Sequence, residues 1–433
     1  MNNQKYANIP VVLFNWSTFL AQALPVRSVP TFLELLFGAM LTQTGFVTEA
    51  WLAIEARRQW FSYYKWLEKG KWSWLALGRQ MARLIAEQFG AENIFLVIDD
   101  VLVPRASRRA PGVCRHHQHG NKPNRPRFMW GQNWVCLSVV IEQGWSSWTV
   151  PLLSRLARSE GNTTKLTIAK VLLRAIRGIF PAATLLVDCW YMRGNLILPL
   201  LEQGLNIIGQ VRKDTALYAL PVRTAGPGRP RVYGEKYTRE FVQRKVRAHR
   251  VYLHIYGKKQ WLYYRSAVVL ARFLKGRKVR AVWVQFKDDE GNLSTPRLLL
   301  ATDTSLTPVQ VIMNYAKRWA TEPMFNQLKH RWGMQQTWQR RRQVLHRWVQ
   351  IISLAYALPL LLSLKAANEA QGLIHFAPWR KNQPITAGRV RFGLLRYLGQ
   401  VRISDWWNAK SRKFGPPDAG VHYSSDLAQA SAA

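Results

Sequence analysis

Apolar residues recur at intervals of three and four along the first part of the chain, in FLELLFGAML, EAWLAIEARRQWFSYYKWLEKG and WSWLALGRQMARLIAEQF. Basic residues fill the gaps, and the period predicts amphipathic helices over about residues 10 to 90. At Asn93 the period changes. NIFLVI is a short, continuous apolar run rich in β-branched residues, which predicts a buried strand with Asp99 and Asp100 at its exit. The stretch PRASRRAPGVCRHHQHGNKPNRPR holds too much Pro, Gly and charge for regular structure. Strands resume at NWVCLSVVIE and SWTVPLL, split by the turn-like QGWS. A helix-period segment, KLTIAKVLLRAIRGIF, stops at Pro181, and the apolar run ATLLVD then delivers Asp188 at a second strand end. Helix ILPLLEQG and strand NIIGQVRKD complete an α/β alternation.

Between residues 211 and 280 there are 19 Lys and Arg against three acids, interleaved with alternating strands such as VYLHIY, QWLYYRSAVVL and, just beyond, VRAVWVQF. This block reads as a basic, β-rich insertion. After strand RLLLATD, a helical region is predicted from about 308 to 366, broken near 333–342 by Gly333 and a polar, basic stretch. The end, FGPPDAGVHYSSDLAQASAA, is small and polar and predicts a disordered tail. The pattern divides the chain into a helical region over 1–90, with DNA-end binding or plain helical packing as its role, an α/β core over 91–212 and 298–370, the insertion over 213–297, and a C-terminal region over 371–433.

The 62 Lys and Arg against 24 Asp and Glu give a formal charge of +38, which points to a polyanionic partner, nucleic acid foremost. An anionic membrane is the weaker reading, because the basic residues are spread through all segments. No run reaches the roughly 18 apolar residues of a membrane span. Ile351 to Leu364 reads as a buried helix. The N-terminal residues lack a secretory layout, and three scattered cysteines (Cys114, Cys136, Cys189) form no disulfide framework, so a reducing cytoplasm is expected.

Acids at the ends of two apolar strands come together if those strands are sheet neighbours, since sites in α/β sheets gather outside strand ends. Glu322, in MNYAKRWATEPMFNQLKHRW, supplies a third carboxylate. Such a set suits phosphoryl transfer with two metal ions: hard oxygen ligands that leave room for water and phosphate. Each acid also has a plainer alternative. Asp99, Asp100 and Asp188 can serve as turn formers or helix caps, and Glu322 can pair with Arg318 four residues earlier.

Tyr315, Arg318, Glu322 and Lys329 stand at the spacing Y-(2)-R-(3)-E-(6)-K. This resembles the signature of bacterial insertion-sequence DDE transposases, and FLVIDD, the stretch around Asp188 and LLLATDTSLTPVQVIMNYAKRW resemble other blocks of that family. The likeness spans roughly residues 30 to 365. It implies an α/β fold: an RNase H-like core, a mixed sheet flanked by helices, with a β-rich insertion between the second Asp and the Glu. It also implies a cut-and-paste transposase that cleaves DNA and transfers strands with two Mg²⁺ (Mn²⁺ able to substitute). Asp99, Asp188 and Glu322 would be the metal ligands, and Tyr315, Arg318 and Lys329 would contact the transposon end. On one continuous helix, those last three and Glu322 would share a face. Implied partners are terminal inverted repeats and target duplex DNA, with at least a dimer assembled on them. Asp100 stays open as the alternative to Asp99, and Val101 departs from the Ser or Thr the family often places two residues beyond that Asp. A transposase-derived DNA binder that no longer cuts, or another RNase H-like nuclease, remains as an alternative.

Cys114, His116, His117 and His119 invite a zinc reading, but no second ligand pair is evident and a basic loop is favoured. Cys189 reads as a core filler. By the same resemblance, Trp283 is a candidate for stacking on a flipped base, with Trp261 as a second; core packing is the plainer alternative for either.

Overall fold

The computed structural model describes residues 6–117, 126–157, 163–222, 230–287, 290–374, 378–380 and 383–417. Five helices come first: α1 (Val11–Ala21), α2 (Val29–Leu41), α3 (Val47–Leu52), α4 (Trp60–Lys69) and α5 (Trp74–Phe89). The α/β segment follows, with β1 (Phe95–Pro104), β2 (Val113–His117), β3 (Phe128–Gln143), β4 (Ser146–Leu156), α6 (Thr163–Ala175), β5 (Thr184–Val187), α7 (Gly194–Glu202) and β6 (Asn206–Val211). Next come β7 (Leu217–Tyr218), α8 (Arg239–Lys245), β8 (Ala248–Ile255), β9 (Lys258–Ala271), β10 (Arg277–Phe286) and β11 (Arg297–Ala301). Helices α9 (Pro308–Ala316), α10 (Thr321–His330), α11 (Arg342–Lys365) and α12 (Ala387–Leu398) and the short pair β12 (Trp407–Asn408) and β13 (Lys413–Phe414) finish the described chain. These elements fall into two compact units: Met1–Leu84 with Ser107–Pro111 and Asn326–Ala433, and Ile85–Ala106 with Gly112–Phe325. The N-terminal helices thus share a unit with the helices from residue 326 onward.

In the first unit, α11 is long and apolar and lies mostly inside, as the buried helix expected around Ile351–Leu364. It packs against α2, α4 and α12. Trp348 anchors it by donating its indole N–H to the Gly45 carbonyl at 2.8 Å. Buried Arg347 donates to the carbonyls of Leu67, Gly70 and Trp72 at 2.6 to 2.8 Å. The guanidinium thereby satisfies the C-terminal end of α4, where partial negative charge gathers. Gly38 lets α3 approach α2, because a Cβ there would sit 2.1 Å from the Ala50 oxygen. Phe414, expected to begin a disordered tail, is instead fully buried and packs against Phe14 and Phe37. Enough apolar surface gathers there to hold the strand pair, and residues 418–433 of the expected tail lie outside the described residues.

In the second unit, β4, β3, β1, β5 and β6 stand side by side. The β4–β3 and β3–β1 pairs are antiparallel, whereas β1–β5 and β5–β6 are parallel. This is an RNase H-like core. The basic block is not a separate sheet: β11 pairs with β6, and β10, β9 and β8 follow in turn, so one sheet of 11 strands runs through core and insertion. Two local expectations need correction. The first strand does not end at Asp99 and Asp100 but continues to Pro104, because β3 pairs with it over its whole length. Part of the stretch read as irregular, Val113–His117, forms β2 on the other edge of β3, its backbone groups satisfied by that long partner.

One side of this sheet is covered by α9. Val97, Leu186, Ile208, Val282, Val284 and Leu299 form a cluster with Val311, Ile312 and Tyr315 of α9. A capping box starts α9: Thr307 accepts from the Gln310 amide at 3.2 Å, and Gln310 accepts from that of Thr307 at 2.8 Å. The expected single helix through Glu322 is interrupted by a 3₁₀ turn over Lys317–Ala320 before α10 begins. Pro323 explains the break, since it offers no N–H to the carbonyl four residues back and suits only a first turn. Positions 315, 318, 322 and 329 therefore do not lie on one unbroken helical face.

Candidate active site

Parallel pairing sets the acid geometry. Val97 stands opposite Leu186 and Ile98 opposite Val187, so the next residues on neighbouring strands are Asp99 and Asp188. Side chains alternate along a strand. Val97 and Leu186 both face α9, so Asp99 and Asp188, two residues on, face the same way. Asp188 is fixed by its own loop: its Oδ1 accepts the backbone N–H of Trp190 at 2.9 Å and of Tyr191 at 3.2 Å. Asp99 is buried; its Oδ1 accepts the Asp100 amide at 2.8 Å, and its Oδ2 accepts from Arg318 Nη1 at 2.5 Å.

Burial pushes the Asp99 carboxyl up to about 7, against the pull of Arg318 and with the help of Asp188 and Asp100. Asp188 is raised too, first by burial and then by Asp100, with the Tyr191 amide and Arg318 opposing. The pair is therefore a desolvated cluster of negative charge that one guanidinium offsets. Burial alone would lower the Arg318 pKa, but Asp99, Tyr315 and Asp188 together hold it above its ordinary value. Tyr315 lies buried in the cluster under α9, its ring centroid 5.7 Å from the Arg318 guanidinium carbon. Burial pushes its hydroxyl up to about 12.

Asp100 points to the opposite face and into a different network. Its Oδ2 accepts from Asn133 at 2.7 Å and from Lys165 of α6 at 2.8 Å, and its Oδ1 accepts from the Tyr191 hydroxyl at 3.1 Å. Three donors thus occupy both oxygens of Asp100, while Asp99 turns toward Asp188. Asn133, Lys165 and Tyr191 were missed by sequence reasoning: they carry no motif, and only the fold gathers them.

Glu322 is exposed in the first turn of α10, and its expected partner Arg318 binds Asp99 instead. Among the described residues, no three of His, Cys, Asp and Glu are grouped closely enough to hold a metal ion. Lys329 stands in the last turn of α10. Trp283 points away from the acids, because its neighbours Val282 and Val284 fill the cluster under α9. It stacks on Tyr237 with 5.9 Å between centroids and an 8° interplanar angle, in a cavity of about 270 Å³ that Lys213, Arg239 and Arg265 also line. Trp261 is an exposed residue of β9.

Cys114 Sγ lies 3.1 Å from His116 Nε2 on β2, and His119 lies outside the described residues. Cys136, the ladder partner of Asp99, sits 2.9 Å from Ser154 Oγ, and burial pushes its thiol up to about 12. Cys189, read as a core filler, is exposed, since β5 has already ended at Val187.

Two acids side by side on neighbouring strands of an RNase H-like sheet agree with a match to the family model described as DDE superfamily endonuclease, over residues 23–262. The chain belongs to the DDE superfamily endonuclease family. The matched stretch includes Asp99 and Asp188 and stops before Glu322. Membership supports a nuclease of the transposase type, with DNA as its substrate class. No curated protein matches the chain.

DDE superfamily nucleases generally use divalent metal ions. The donor chemistry here fits that use as far as it goes: two desolvated carboxylates, side by side and repelling each other, are hard oxygen ligands whose repulsion a cation relieves.

Proposed function

We propose that this DDE superfamily endonuclease is a cut-and-paste transposase, which nicks DNA at the ends of a mobile element and joins the freed 3′-OH to target DNA. Convergence of Asp99 and Asp188 on one face beside Arg318 carries the reading. Both steps are phosphoryl transfers, for which charge neutralisation and positioning are the main catalytic needs.

In this reading Asp99 and Asp188 hold Mg²⁺, and Glu322 is assigned as third ligand on the sequence spacing alone. Two bound Mg²⁺ would activate the attacking oxygen and stabilise the leaving one. The chain's own groups do the rest. The Asp188 carboxylate is held in orientation by the Trp190 and Tyr191 amides. Arg318 balances the acids and offers its fork to phosphate oxygens, with Tyr315 packed beneath it. Lys329 contributes backbone affinity, and the Tyr237–Trp283 stack, lined by cations, suits an unpaired base. The two element ends imply a dimer or larger assembly on DNA.

The test is a supercoiled plasmid carrying the element ends, incubated with protein and Mg²⁺. Nicking at the ends, lost in Asp188→Asn with end binding retained, is expected; normal cleavage by that variant removes Asp188 from the site. Two observations favour a second reading, a DNA binder that no longer cuts: Asp99 is engaged by Arg318, and among the described residues Glu322 belongs to no three-acid group. Stable end binding by the parent protein with no nicking in Mg²⁺ or Mn²⁺ would select it.

A further inference from the structure

The turn that presents Asp188 is anchored through two side chains, and both anchors lie in the network around Asp100. Residues 188–193 run between β5 and α7, outside either element. Fully buried Tyr191 gives its backbone N–H to Asp188 Oδ1 and its hydroxyl to Asp100 Oδ1, which faces the other side of the sheet. Trp190 gives its backbone N–H to the same Asp188 oxygen. Its ring lies 4.8 Å from Lys165 Nζ and meets the Tyr191 ring edge-on at 5.0 Å. Lys165 in turn binds Asp100 Oδ2 at 2.8 Å. The Trp190 carbonyl accepts from Arg193 Nε at 3.1 Å, which closes the turn.

We infer that Tyr191 and Trp190 are positioning residues, which convert the Asp100–Lys165 ion pair into a fixed orientation of the Asp188 carboxylate. Amides in a loop can orient a carboxylate only as well as the loop itself is held. Here one hydrogen bond and one cation–π contact act on the two consecutive residues whose amides meet at a single oxygen. A largely buried pair on one face of the sheet therefore sets the geometry on the other, and Asp100 serves the site without entering it. In Asp100→Asn an amide oxygen can still accept from Tyr191, so that variant keeps part of the tether. The proposal rests on the reading above for what Asp188 does, and not for how it is held.

Hydrogen–deuterium exchange of the full chain, without divalent metal, reads the turn directly. In Tyr191→Phe and in Trp190→Ala, the amides of residues 190 and 191 should exchange about tenfold faster than in the parent after correction for intrinsic rates, with β5 and β6 within about twofold. Trp190→Phe keeps a ring for Lys165 and should stay near the parent. Parent-like exchange in the first two variants would overturn the tether, and an equal rise through β5 and β6 would assign both residues to ordinary packing instead. On the plasmid carrying the element ends, the two loosened variants should nick about tenfold or more slowly and need more Mg²⁺ for half the maximal rate, with end binding within about twofold. A loosened turn with parent-like nicking and Mg²⁺ demand would overturn the positioning role. If the parent itself does not nick, the transposase reading falls, and exchange alone still decides whether Asp100 and Lys165 hold the turn.

Discussion

Asp99 and Asp100 are chemically identical neighbours in opposite environments, and the difference should be measurable. Replacing Asp100 with Ala removes the acceptor of Lys165, Asn133 and Tyr191 and strands an ammonium that is only 18 % exposed. Losing one partner of a largely buried ion pair costs about 3 to 5 kcal/mol; the residual exposure here puts the expected loss near the lower figure, about 3 kcal/mol. Asp99 behaves otherwise. Its carboxyl, which burial pushes up to about 7, loses less on becoming neutral, and in Asp99→Asn an amide oxygen can still accept from Arg318. The expected change is on the order of 1 kcal/mol or less, because one acid–acid repulsion is lost along with part of one ion pair. At about 2–4 °C per kcal/mol for a unit of this size, Asp100→Ala should melt roughly 6–12 °C below the parent, and Asp99→Asn within a few degrees of it. The plasmid assay should invert the ranking: Asp99→Asn loses nicking, whereas Asp100→Asn retains a measurable fraction at a temperature where it is folded. Equal melting shifts for Asp99→Asn and Asp100→Ala, or loss of nicking confined to a fully stable Asp100→Asn, would refute the division of roles.

Further outcomes concern other parts of the molecule. Gly209 pairs with Val187, and a Cβ there would lie 2.4 Å from Met192 Cγ; Gly209→Ala should cost about 1–3 kcal/mol by overpacking, read by thermal melting, with nicking reduced because the Asp188 loop is displaced. In alkylation at mildly basic pH followed by mass spectrometry, exposed Cys189 should be labelled in the native protein. Buried Cys136, its thiol at about 12 and so almost wholly protonated below that pH, should label only after unfolding; early labelling would deny its burial. Lys329→Ala should weaken duplex binding and flatten the salt dependence by roughly one counterion, and an unchanged slope would remove that contact.

The acid pair was legible in the sequence because each Asp directly follows an apolar strand run, and such runs become neighbouring parallel strands. The RNase H-like core was legible for the same reason, with the family resemblance supplying its name. Sequence left Asp100 open beside Asp99, since which of the two turns toward Asp188 depends on which face of the sheet α9 covers. Nor was the continuity of the sheet visible: the pairing of β11 with β6 joins residues about ninety apart, and a basic, alternating block looks alike whether it extends one sheet or forms another. The helical face expected to join Tyr315 and Glu322 is broken by a local cause, Pro323, whose missing N–H ends one helix and suits the first turn of the next.

Because hydrogen bonds run unbroken from β5 through β6, β11 and β10 to β9, the insertion cannot swing freely about a linker. Four inter-strand steps at about 4.8 Å each separate the acid-bearing strand from β9, roughly 19 Å measured across the sheet. Any side chain carried on β9 is thus held at a set reach from Asp188. Adding or deleting a strand there would be expected to change that reach by a whole step.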